Sequence, residues 1–97
     1  MFIDDLPTPC LVVEQRRLDA NLARMQARAD AQGVRLRPHV KTHKCVALAR
    51  RQAAAGARGL TVAKASEAEV FAAAGFDDLR LAYTVVSPHR HERLRKL

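Results

Sequence analysis

The stretch Leu36-Arg37-Pro38-His39-Val40-Lys41-Thr42-His43-Lys44 decides how the rest of the chain is read. It has the pattern of a short buried strand ending in a lysine, with a histidine on either side. Period-two alternation puts Arg37, His39 and Lys41 on one face of that strand. A lysine at the mouth of a strand, shielded on one side by apolar chain, can lose its proton and form a Schiff base with an aldehyde. If the Arg37–His39–Lys41 face points into a closed sheet, polar groups stand where Val or Leu is usual. Their burial is costly unless they are paired or used. The plainer reading of the same pattern is a partly exposed strand whose charges are simply solvated.

Working outward, the elements alternate. Upstream, Leu6-Pro7-Thr8-Pro9 is an extended lead-in, because each proline fixes its own φ and biases the residue before it away from helix. Cys10 to Val13 reads as a short strand. From Glu14 to about Gln32 the pattern is helical, with Leu18, Leu22, Met25 and Ala29 forming one apolar stripe that Gly33 closes. Val34 to Val40 is the strand leading to Lys41. An Ala-rich helix over Cys45 to Ala55 ends at Gly56, and Leu60 to Ala63 is the next strand. Ser66 and Glu69 then form a capping box for a helix that Gly75 closes. Leu79 to Val85 is a further strand. Ser87-Pro88 supplies an N-cap and an N1 proline for a last helix, in which Leu94 and Leu97 begin a new stripe.

Strand–helix alternation with short connections implies parallel strands joined by crossover helices, an α/β fold. A (β/α)₈ barrel and a doubly wound sheet both fit. No G-x-G-x-x-G follows a strand, which removes support for the dinucleotide-binding form. A barrel needs roughly 250 residues and these 97 supply about three of its eight units. On the barrel reading, residues 1–97 are therefore expected to be a truncated, N-terminal segment.

Composition limits the alternatives. Hydrophobic residues make up 48% of the chain and aromatics only 4%, so the core is built mainly from Ala, Leu and Val. The formal charge of +7 would suit a nucleic-acid binder. However, Arg16, Arg17, Arg24 and Arg28 alternate with Glu14, Asp19 and Asp30 at helical spacing, and few aromatics are available for base stacking. Nucleic acid is therefore not expected as a partner. Cys10 and Cys45 stand apart without metal or redox spacing, as in a reducing compartment, and a cytoplasmic location is expected. No apolar run approaches the ~18 residues of a membrane span. The residues after Met1 lack the basic and apolar blocks of a signal peptide.

In parallel α/β folds the functional groups gather at the C-terminal ends of strands. Those ends hold His39 to His43, Lys64 to Ser66, and Tyr83-Thr84. His39 and His43 have no carboxylate or cysteine nearby in sequence to complete a metal site, so orienting a lysine or cofactor is the better reading, and no metal ligand is assigned. His89 and His91 fall in the first turn of the last helix and read as surface residues. Glu67 and Glu69 read as acids that stabilise a helix N-terminus, and Ser66 as its cap.

R-P-H-V-K-T-H-K at 37–44, preceded by L-P-T-P at 6–9 and followed by A-K-A-S-E-A-E at 63–69, resembles one family in particular. This is the D-threonine aldolase and D-serine dehydratase group of the alanine racemase-like, fold type III pyridoxal phosphate enzymes. The resemblance runs from Leu6 to about Leu97 and is most specific in the first motif, where eight consecutive positions fit. It implies the N-terminal part of a (β/α)₈ barrel that is followed by a β-domain, in an enzyme that works as a homodimer. It also implies that Lys41 holds pyridoxal phosphate covalently, with His39, Thr42 and His43 as cofactor-binding neighbours. The implied substrates are small D-3-hydroxy amino acids. Retro-aldol cleavage of D-threonine to glycine and acetaldehyde is the first reading. A D-serine dehydratase-type lyase and a non-catalytic remnant are the alternatives. The family's divalent metal is held by ligands in the C-terminal β-domain, outside residues 1–97, so the segment is expected to be inactive alone.

Overall fold

The computed structural model describes residues 2–97, and Met1 lies outside the described residues. Helix α1 spans Gln15–Ala31, α2 Val46–Ala54, α3 Ala65–Ala73 and α4 Pro88–Arg95. Strands β1 (Leu60–Val62) and β2 (Leu79–Leu81) pair in parallel, with Thr61 opposite Arg80, and α3 forms the crossover between them.

The helices lie where the periodicity puts them, because an α-helix satisfies its backbone internally. Glu14 caps α1 by accepting the Arg16 and Arg17 N–H groups at 2.9 and 3.2 Å. Gly33, Gly56 and Gly75 follow α1, α2 and α3 with φ of 65°, 117° and 93°, the left-handed region in which a Cβ is strained. The apolar stripe of α1 is only partly realised. Ala29 is buried and Leu18 and Leu22 half-buried, but Met25 is exposed and Gln26 is buried in its place.

The strands depart from expectation, since a strand exists only through its partner. Cys10 to Val13 forms no strand, and Leu11, Val12 and Val13 are exposed. Val34 to Val40 is not a regular strand either. Segment 34–39 runs beside β1 through one parallel bridge, His39 to Thr61, and through Leu36 and Pro38 carbonyls that accept the Arg58 and Thr61 N–H groups. Pro38 has no N–H to return. β2 stops at Leu81 instead of Val85. The Ala82 N–H still donates to the Val62 carbonyl, but β1 has ended there and leaves residues 83–85 without a neighbour.

One face of this small sheet is dry. Val40, Leu60, Val62, Ala49, Ala68 and Phe71 form the buried cluster, with Val46, Phe76, Leu79, Leu81 and Leu94 packed against it. Phe71 meets Phe76 edge-on, with ring centroids 5.9 Å apart. The other face is an open hollow lined by Arg35, Arg37, Thr61, Arg80, Tyr83 and Thr84. His39, in register with Thr61, stands on that open side.

Candidate functional site

The site is built where segment 34–39 runs out. At Val40 the chain leaves the extended conformation and enters a single 3₁₀ turn, Val40–Thr42. Val40 is fully buried in the core cluster and pins the turn from below. Lys41, next to it, is exposed at the end of the strand segment. The period of two therefore holds for Arg37 and His39 and gives way to the turn before Lys41.

Two of the expected neighbours shape this turn. The Lys41 backbone N–H donates to His39 Nδ1 at 3.3 Å, and the Thr42 hydroxyl donates to the His39 carbonyl at 3.4 Å. Because Nδ1 accepts, His39 carries any ring proton of its neutral form on Nε2. His43 is turned another way. Its Nδ1 accepts the Cys45 N–H at 3.0 Å and its Nε2 lies 3.2 Å from Gln52 Oε1, which ties the turn to α2. The fold thus brings His39, Lys41 and Thr42 together and aims the His43 ring at helix α2.

Arg37 shares the open face but is already engaged. Its guanidinium forks onto the Asp78 carboxylate, with Nη2 to Oδ2 at 2.9 Å and Nη1 on Oδ1, and Nη1 also reaches the Asp78 carbonyl at 3.1 Å. This clamp crosses the chain at Gly59, just before β1. A Cβ there would lie 2.7 Å from Asp78 Cγ and closer still to Arg37 Nη1 and the Asp78 carbonyl oxygen. The hydrogen bonds from Arg37 hold the Asp78 carboxyl below its ordinary range, and the same pairing raises Arg37.

The capping box expected at Ser66 and Glu69 does not form, because α3 begins two residues earlier. Lys64 is the N-cap residue of α3, and Glu67, at N3, reaches back to the Ala63 N–H at 2.7 Å. The helix starts early because Ala65, Ala68 and Phe71 must face the core, and only Ala63 and Lys64 separate them from β1. Glu69, now on the outer side, pairs with Arg93 of α4. Glu67 is buried, and its carboxylate lies 3.5 Å from Lys44 Nζ. Burial opposes its charge, but the Ala63 N–H and the Lys44 and Lys64 ammonium groups outweigh that effect and hold its carboxyl below the usual value. Sequence reading missed this pair. The A-K-A-S-E-A-E segment carried the signal, but the helix phase needed to read it did not follow from the residues alone.

Among the described residues no carboxylate forms an ion pair with Lys41, whereas Lys44 is held by Glu67. Nor does any group of three or more His, Cys, Asp and Glu side chains among them form a metal site. No helix among them is long and apolar enough to cross a membrane.

Parallel βα units, with an unpaired amine presented just past the end of the leading strand segment, define a barrel-type α/β segment of the kind that gathers its chemistry at strand ends. The family described as alanine racemase, N-terminal domain, matches residues 13–97, and the chain belongs to it. The D-threo-3-hydroxyaspartate dehydratase of Delftia sp. (strain HT23) is 55% identical over 85 residues, covering 88% of this chain and 22% of that protein. The D-threonine aldolase of Arthrobacter sp is 48% identical over 90 residues, covering 93% of this chain and 24% of its own length. The crystal structure of D-threonine aldolase from Filomicrobium marinum superimposes with a TM-score of 0.94 at 40% identity, over 97% of this chain and 25% of that one. The chain spans about a quarter of the length of the relatives it matches. The barrel reading and the resemblance through the 37–44 motif are borne out.

Proposed function

We propose that residues 1–97 form the N-terminal part of the barrel domain of a pyridoxal phosphate-dependent lyase acting on D-3-hydroxy amino acids, with Lys41 as the cofactor lysine. One observation carries this reading: Lys41 is the exposed amine at the end of the leading strand segment that no carboxylate holds. A primary amine free of an ion pair can be deprotonated and react with an aldehyde, whereas an ammonium in an ion pair presents no lone pair. The turn also suits the group sterically, since its Lys41 side chain is exposed and the sheet face leading to it is open and polar.

When bound, pyridoxal phosphate supplies an electron sink for negative charge developing at the substrate Cα. The chain's own residues do the rest of the work proposed for this segment. Val40 anchors the turn in the core. His39 and Thr42 fix its backbone, so that Lys41 points away from the apolar layer. His39 stands on the open side, in register with Thr61, where its Nε2–H can donate to a bound anion. The role proposed for His43 is indirect: it braces the turn against α2.

The relatives divide between dehydration and aldol cleavage, yet both match this segment at similar identity. The segment therefore suits the step common to both, which is holding the cofactor. The choice of bond, and the divalent metal implied by the resemblance, belong to residues elsewhere in such an enzyme. One solved mutant of a D-threo-3-hydroxyaspartate dehydratase is in the metal-free form. Retro-aldol cleavage remains the first reading for the whole protein. The test is to load the protein that carries this segment with pyridoxal phosphate and a divalent metal and offer it D- and L-threonine. The expected result is consumption of the D-form with release of glycine and acetaldehyde. Release of ammonia and a 2-oxo acid would assign dehydration, and indifference to both D- and L-3-hydroxy amino acids would overturn the proposal.

A further inference from the structure

Lys44 closes the turn that carries Lys41, and its backbone is held in an unusual state. Its N–H donates to the Val40 carbonyl at 2.8 Å, and its φ is 50°. L residues other than glycine adopt that region only when their surroundings hold them there. The Val40 carbonyl holds the Lys44 backbone there, and Glu67 takes its side chain. One carboxylate oxygen takes the Ala63 N–H just past the end of β1, and the other lies 3.5 Å from Lys44 Nζ. A single buried carboxylate thus joins β1, the first turn of α3 and the Lys41 turn. Three amines, Lys41, Lys44 and Lys64, share this rim, all of them exposed.

We infer that Glu67 is a positioning residue that holds Lys44 as its ion-pair partner, leaving Lys41 as the amine whose nitrogen condenses with an aldehyde carbon while the carbonyl oxygen leaves as water. The inference rests on the assignment of Lys41 in the preceding section. An ammonium bound to a carboxylate offers no lone pair to a carbonyl, so the pair withholds the competing amine two positions past Thr42. Glu67 touches neither cofactor nor substrate in this scheme and acts through the two lysines.

The experiment is borohydride trapping and peptide mapping on the whole protein carrying this segment, loaded with pyridoxal phosphate. The wild type is expected to carry the pyridoxyl group on Lys41 alone. Glu67→Gln keeps an oxygen for the Ala63 N–H but removes the charge. It is expected to move a substantial share of the label to Lys44 and to slow adduct formation at Lys41 by about tenfold or more. Adding Lys44→Met to Glu67→Gln is expected to return the label to Lys41 alone. A label that stays wholly on Lys41 in Glu67→Gln, formed at the wild-type rate, would overturn the role of Glu67 and leave the Lys41 assignment standing. A wild-type label on another lysine would overturn both. A second measurement needs no variant. With limiting free pyridoxal, Lys44, although its side chain is 57% exposed, is expected to react more slowly than Lys64. Equal reactivity of the two would contradict the inference.

Discussion

At the N-terminal ends of its strands this small sheet closes its charges on one another. Arg37 forks onto Asp78, Arg58 approaches the same carboxylate at 3.6 Å, and Gly59 leaves the space through which the fork passes. At the C-terminal ends the polar groups stand open. Lys41 has no carboxylate partner among the described residues, and Tyr83 and Thr84 are exposed beside the hollow. The difference separates what the two ends are for. Paired charges at one end hold segment 34–39, β1 and β2 together, and the unpaired amine at the other is the one proposed to hold the cofactor. The Lys44–Glu67 pair belongs to the chemical end but follows the rule of the structural end.

The comparison can be broken most directly by exchanging one residue at each end. Lys41→Ala in the whole protein is expected to lower activity on the order of 10³-fold or more. Because Lys41 is exposed, the same change is expected to shift stability within about 0.5 kcal/mol, as read by urea denaturation. Gly59→Ala is the converse. The added methyl collides with Arg37 and Asp78, so it is expected to cost about 1–3 kcal/mol of stability. It should leave the position of the cofactor label unchanged. A Gly59→Ala protein of wild-type stability would mean that the clamp does not hold segment 34–39, β1 and β2 together.

A smaller effect follows from acid. The carboxyl of Asp78 is held below its ordinary value of 3.8 in the folded chain, chiefly by its hydrogen bonds to Arg37. The unfolded chain therefore binds that proton first as pH falls, so the clamp's contribution is complete above the unfolded value and fades as pH drops through the folded one. Wild-type denaturation midpoints should fall between about pH 5 and about pH 2, and Asp78→Asn should flatten that fall while starting from a lower midpoint. Glu67 and Glu69, whose carboxyls are also lowered, add to the same trend in both proteins. The smallest effect is expected at Glu92, whose contacts with Arg95 and Lys96 at 3.5 and 3.9 Å are exposed on α4. Glu92→Gln should change stability by less than about 0.5 kcal/mol.

Much of this was legible in the residues, for reasons that differ by element. The helices were readable because their hydrogen bonds are local, and Gly33, Gly56 and Gly75 mark their ends through positive φ values that a residue with a Cβ adopts only with strain. Cys10 to Val13 and residues 83–85 have strand composition but no neighbour to pair with, and composition carries no information about a missing neighbour. The motif at 37–44 marks the family, and the role of Lys41 within it rests on the proposal above. The Glu67–Lys44 and Arg37–Asp78 pairs were not, because each joins residues far apart in sequence through a helix phase or a strand register.

The most direct test of the central claim is the position of the covalent label. The whole protein carrying this segment, loaded with pyridoxal phosphate, reduced with borohydride and digested, should give one pyridoxyl peptide with the modification on Lys41. A label on Lys44 or Lys64 would contradict the account, since it would place the chemistry on an amine that the fold either pairs with Glu67 or sets at the start of α3.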